Sequence, residues 1–459
     1  MKTFTSFAAI AFVATNILFS ATASAQDPAP GCPFIGWGES LMRHQSPTAA
    51  FPVTETTNTL APDCNFHQWS WEAFAWATAL DSNGVPRFLN LPNTDDLLRA
   101  NLAHGRPVNR PLRVGSRSTK AHNSTGHHEG AGGFVEADGN VLVGPNGYPV
   151  YNSIHMNWSY FNTAKKNLII DGGYKNQPPT SYFEVGAGVF KAMWLRLDPG
   201  QSPPEGAYTT LAEVPVLESV NNPNGTVTIR QKPGQFAIAT VALVGMHVVG
   251  YTVGHPEMVW ATFEHPNNSP RVPDNTFSGA GSDPKDYTFY RANTPFSAAN
   301  QAMTPPQLSF NETTQKFSPV TTVVLKNATG GENRPHGVGN IAAVSEQAKS
   351  VMKGVMKSTF GNYVLNGTVW LPPNSYSMLS NQADALGSVN LTNSVGETYI
   401  QVDKNAPMSG VNNCFSCHNA TSYSYQSNPP PLANRQIGIS HVLGVGTPYM
   451  VPNEITGNK

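Results

Sequence analysis

Twenty residues, GQFAIATVALVGMHVVGYTV (234–253), constrain the fold of this chain more than any other stretch. They are almost wholly apolar, and GHPE joins them to a second run, MVWATFEHP (258–266). Two apolar runs this close in sequence predict a buried β-hairpin. Side chains along a strand alternate between faces. His247 is therefore expected on one face with Leu243, Gly245 and Val249, and Met246 on the other. In the second strand Trp260, Thr262 and Glu264 fall on one face, and Phe263 and His265 on the opposite one. A histidine inside such a strand needs a hydrogen-bond partner or a metal, because an unmet polar group there costs about 1–3 kcal/mol. Glu264 has the chemistry to move protons, and His265 to position water or substrate. A strand-end ion pair and a turn residue are the plainer alternatives.

The rest of the chain reads in the same way. YFEVGAGVFKAMWLRLD (182–198) and NYVLNGTVWLPP (362–373) have strand character, and GFVEADGNVLVGPNGYPVYNSIHMNWSYF (133–161) places Asp-Gly and Asn-Gly turns between alternating runs. Two helices stand out. NFHQWSWEAFAWATAL (65–80) is aromatic at helical spacing, which predicts a core helix or, alternatively, one edge of a cofactor pocket. NIAAVSEQAKSVMKGVMKST (340–359) repeats Ile341, Val344, Ala348, Val351 and Val355 on one side. Gly and Pro together number 78 and charged residues are only 12% of the chain, which favours many short strands and loops over long surface helices. The expected class is α+β, β-dominated: an antiparallel sandwich or barrel-like body with a few helices and a C-terminal segment of separate role. With 28 basic and 29 acidic residues and no block of either sign, nothing attracts nucleic acid or an anionic membrane.

The N-terminus predicts a cleaved export signal over residues 1–25. Lys2 precedes an apolar run from Phe7 to Phe19, and Ala23-Ser24-Ala25 supplies the small residues of a cleavage site. That run is shorter than the ~20 residues a bilayer requires, and no long apolar span follows it. A periplasmic protein is expected. In that oxidising compartment Cys32 and Cys64 are expected to form a disulfide worth roughly 3–4 kcal/mol in the chain-entropy model.

The other two cysteines lie in NNCFSCHNATS (412–422). In Cys-x-x-Cys-His the two thiols can add to the vinyl groups of one haem, and the histidine that follows becomes the iron's axial ligand. From this chain's four Cys and thirteen His, chance yields the pattern on the order of once in a thousand such sequences. A structural zinc site needs two further ligands, and a thioredoxin-type thiol pair needs a βαβ context that the surroundings lack.

The motif resembles that of c-type cytochromes, with Cys414 and Cys417 matching the thioether cysteines and His418 the proximal ligand. More widely, FHQWSWEAFAW (66–76), MVWATFEHPNN (258–268) and CFSCH resemble large exported monohaem proteins of the cytochrome c family. The resemblance implies one covalent haem c and carries no particular activity. The chain departs from a small cytochrome c: strand-like sequence precedes the motif and only 41 residues follow His418. Residues 26–400 are thus expected to form a β-rich body and 401–459 a haem-attachment segment docked on it. The iron's sixth position falls to Met450, to His441, to another side chain or to none, with His441, His247 and Glu264 as candidate proton-moving groups. His122, His127, His128 and Glu129, in STKAHNSTGHHEG (118–130), form a second candidate metal cluster. Three functions are compatible: a periplasmic haem oxidoreductase acting on a small substrate or oxidant, a closed electron carrier with a periplasmic redox partner, and a haem-based sensor.

Overall fold

The apolar stretch around His247 forms half of one very long strand, and the rest of the molecule is organised by it. The computed structural model describes residues 32, 37–54, 62–98, 111–114, 120–121, 128–129, 133–136, 139–165, 182–273, 277, 279–376, 384–401, 414–418, 436–440, 442 and 454–458. The residues of the expected export signal (1–25), His122, His127, His441 and Met450 lie outside these residues.

Among the described residues one sheet of nine strands dominates the fold. Its members are β1 (Leu112–Arg113), β4 (Val150–Met156), β5 (Gly188–Arg196), β6 (Thr209–Asn221), β7 (Thr226–Thr252), β8 (His255–Glu264), β11 (Val364–Trp370), β12 (Leu386–Gly387) and β13 (Glu454–Asn458). Two small sheets pair β2 (Lys120–Ala121) with β3 (His128–Glu129), and β9 (Ser309–Asn311) with β10 (Lys316–Ser318). The class is α+β and β-dominated, as expected, and the large sheet stays open. Among the described residues no helix is long and apolar enough to cross a membrane.

β7 is the spine. Its first half pairs with β6 and β13, and its apolar second half with β5 and β8, all antiparallel. The β7–β8 hairpin turns at Val253-Gly254, so only the glycine of the expected GHPE joint lies in the turn and His255–Glu257 already belong to β8. Gly254 adopts a positive φ of 84° there, a conformation that costs glycine nothing. Within the apolar half of β7, the pairing with β5 shifts register between Gly245 and Leu243. Met193 pairs with Gly245 and Trp194 with Leu243, leaving a bulge at Val244. The extra residue reverses the faces beyond it, so Leu243 joins Met246 and Val248 in one core cluster rather than His247.

That core lies between the sheet and three helices: α1 (Trp37–His44), α2 (Pro62–Thr78) and α4 (Gly337–Lys349). α2 is buried all round, with Trp69, Trp71 and Phe74 fully inaccessible, because the sheet covers one side and α1 and α4 the others. Phe74 stacks on Phe263 at 4.1 Å and Phe66 on Trp370 at 4.2 Å. The predicted helix from 340 onward is α4, which begins three residues earlier and runs into a π-helical turn, Ser350–Val355. The Cys32–Cys64 disulfide ties the N-terminal segment to the start of α2.

The opposite face of the sheet receives α3 (Trp158–Ala164) and the described residues 414–418 and 436–440. Asn157 caps α3: its Oδ1 accepts from the Tyr160 and Gly188 amides, each at 3.0 Å, and its Nδ2 donates to the Gly186 carbonyl at 2.7 Å. Asn157→Ala is expected to cost about 1–3 kcal/mol, since it leaves buried donors unmet. A urea unfolding midpoint equal to wild type would contradict this.

Candidate functional site

Hydrogen-bonded neighbours across the sheet define rows of side chains on this second face. One row reads Met156, Val189, Val249, Trp260 and Val369, and it is apolar throughout. The next reads Ile154, Lys191, His247, Thr262 and Gly367. The two rows are roughly 7 Å apart, the rise of two strand residues.

The CFSCH motif docks on the apolar row. Cys414–Cys417 forms α5, a single helical turn continued by a 2.7 Å bond from the His418 amide to the Cys414 carbonyl. This turn follows from the spacing, because residues four apart stack on one side of a helix. The first cysteine and the histidine thereby share a side. Phe415 is fully buried among Val249, Trp260, Leu391, Ile437 and Ile439, while Cys414 and His418 are half-buried. The His418 ring lies against the Trp260 indole, centroids 4.3 Å apart and planes inclined by 40°. Trp260 is itself held by a 2.9 Å bond from its indole N–H to the Glu257 carbonyl.

The His418 Nδ1 is 2.9 Å from the main-chain oxygen of Ile439. A carbonyl only accepts, so Nδ1 carries the proton and the neutral ring has its lone pair on Nε2. This is how metal-bound imidazoles are usually oriented: the second nitrogen donates to a carbonyl or carboxylate, which fixes the tautomer and raises ligand basicity. Judged on this geometry, the residues present fit an axial iron ligand in a C-x-x-C-H attachment turn. Among the described residues, no three His, Cys, Asp or Glu side chains gather into a group able to hold a metal ion by themselves.

His247 and Glu264 both lie on this face, in the second row and the row beyond it. His247 Nε2 is 2.9 Å from Glu397 Oε1, and Glu397 Oε2 also accepts from the Asn393 amide. Although burial alone would raise it, the Glu397 carboxyl is held below the usual range by His247, by nearby Lys191 and by the Asn393 bond. A carboxylate partner makes Nε2 a donor, so in the neutral ring the lone pair of His247 is on Nδ1. Glu264 is differently placed. It is buried, and its oxygens accept from Asn366 Nδ2, the Ser394 amide and Ser394 Oγ. Burial pushes its carboxyl up, against the opposing pull of Arg271 and these bonds. Glu264 thus pins the 393–395 segment to the sheet. Gly245 makes this crossing possible: a Cβ there would lie 2.9 Å from the Val395 side chain and 3.0 Å from Asn393 Oδ1. His265, on the other side as expected, bonds to the Glu205 carbonyl at 3.0 Å.

The α2 aromatics line no part of this site, because they pack on the other face of the sheet. Of the 118–130 cluster, His128 and Glu129 contribute backbone to β3. Sequence reasoning missed Glu397, Ile439 and the contact of Trp260 with His418. Only Trp260 had a signal, through its place on the predicted face with Thr262 and Glu264. Compared with protein-family models, with curated proteins and with solved structures, the chain matches none.

Proposed function

We propose that this is an exported, periplasmic haem c redox protein, attached through Cys414 and Cys417 and ligated by His418, that acts as an oxidoreductase on a small substrate or oxidant. The observation that carries the reading is the His418 Nδ1 bond to the Ile439 carbonyl within a docked C-x-x-C-H turn. A haem bound there supplies one-electron chemistry at iron.

The chain's own residues have three tasks. Trp260, Phe415, Ile437 and Ile439 make an apolar wall along one side of the half-buried His418. Ile439 orients that ring through its carbonyl. His247, oriented by Glu397 one row away, holds and passes a proton at Nδ1, as a carboxylate-supported histidine is suited to do. This last pair favours the oxidoreductase over an electron carrier, which needs no such group. The proton role accordingly rests on His247 rather than on Glu264, whose carboxylate is engaged by three donors.

The test is to express the full chain in an exporting host with haem-attachment machinery, record ferric and ferrous spectra, and add carbon monoxide to the reduced form. A high-spin spectrum with rapid carbon monoxide binding is expected. A low-spin spectrum indifferent to carbon monoxide would replace the enzyme with an electron carrier and turn attention to Met450 and His441 as sixth ligands. Carbon monoxide binding without turnover of any peroxide or small oxidant would favour a sensor.

A further inference from the structure

The carbonyl that orients His418 belongs to a short turn. Gln436–Ile439 is one turn of 3-10 helix, and Ile439 ends it. Carbonyls at a helix end have no partner within the helix, so the Ile439 oxygen is available to His418. Ile437, Ile439 and Val442 sink into the apolar cluster beside Trp260. Such contacts are non-directional, and by themselves they do not fix the rotation that aims the carbonyl.

A polar contact between described side chains opposes rolling of the turn. The Tyr160 hydroxyl hydrogen-bonds the Ser440 hydroxyl, one residue beyond the orienting carbonyl. Both residues are buried, at 2% and 5% exposure, so neither hydroxyl can exchange this partner freely for water. Tyr160 is rigidly placed. It lies in the first turn of α3, its amide is capped by Asn157, and its ring stacks on Phe183 at 4.3 Å. A chain of short contacts therefore runs from α3 through Tyr160, Ser440 and the Ile439 carbonyl to the His418 Nδ1.

We propose that Tyr160 and Ser440 form a latch that positions the His418 imidazole and sets its donor strength, an inference that rests on His418 as the axial ligand. When the latch is intact, Nδ1 stays bonded to the carbonyl and Nε2 is the more basic. Without it the turn rolls, the Nδ1 bond weakens, and the imidazole becomes a poorer donor to ferric iron.

The experiment compares the wild-type full chain with Tyr160→Phe, Ser440→Ala and Ser440→Thr. Nitrogen NMR of histidine-labelled protein made without haem reads the His418 tautomer, assigned by the signal lost in His418→Gln, and the haem-loaded forms give the reduction potential. The Nδ1-protonated tautomer should dominate in wild type and in Ser440→Thr. Tyr160→Phe and Ser440→Ala should show mixed tautomers and a more positive potential, with unchanged circular dichroism. Wild-type tautomer populations in both variants would overturn the latch. If the chain takes up no haem, the proposed function fails by itself, and the tautomer comparison still decides the latch.

Discussion

Replacing both Cys414 and Cys417 with alanine is expected to take covalent haem from one per chain to none, read as loss of haem stain on a denaturing gel. Each thioether is a separate covalent bond, so either single substitution should keep some haem through denaturation. On the proposed function, His418→Ala should retain the attached haem and change its spectrum, because it removes the proposed axial ligand and leaves both thioethers. The separation follows from α5, whose single turn carries the cysteines, while His418 is bonded to Ile439 outside it. Wild-type protein from a competent host without covalent haem would end the proposed function.

The second large effect is on stability in acid, and it originates in His67. This residue lies in α2, wholly inaccessible, with Nδ1 3.1 Å from Thr368 Oγ1. Glu332 Oε2 is 3.9 Å from its Nε2, too far for a hydrogen bond, and Nε2 has no hydrogen-bond partner among the described residues. Burial therefore prevails over the nearby carboxylate and lowers the imidazole to about 3. The unfolded chain, with an ordinary histidine near 6.5, takes up a proton below that pH that the folded protein refuses. The stabilisation is fully present above pH 6.5 and is lost as pH falls toward 3, by roughly 4–5 kcal/mol over the whole span. Between pH 7 and pH 4 the loss is roughly 3 kcal/mol. Urea titrations of wild type and His67→Gln at both pH values isolate it, because every other group titrates alike in the two proteins. The expected result is a stability gap that narrows in acid by that amount; a gap independent of pH would refute it.

His67 also shows where a sequence becomes opaque. It lies within FHQWSWEAFAW, where helical spacing of Trp69, Phe74 and Trp76 predicts a packed helix, and the helix forms. Nothing in those residues says that Thr368, some 300 positions later, will face the imidazole. The β7–β8 hairpin shows the same division at closer range. Its strands and the opposed faces of Met246 and His247 follow from alternation. The bulge at Val244 does not, because it arises from the match between β5 and β7; beyond it the faces reverse, and Leu243 leaves the side of His247.

The sequence by itself determined the elements whose signals are local: the apolar hairpin, the aromatic helix, the pairing of Cys32 with Cys64, and the C-x-x-C-H spacing that brings Cys414 and His418 to one side of a turn. Tertiary structure alone decided which groups meet them. It set α2 on one face of the sheet and His418 on the other, brought Glu397 to His247 across 150 residues, and brought the Ile439 carbonyl to His418. The physical reason is range. Periodicity and spacing act within a few residues of backbone, whereas an acceptor for a buried N–H is chosen by the packing of the whole sheet, and any of many carbonyls would have satisfied the sequence.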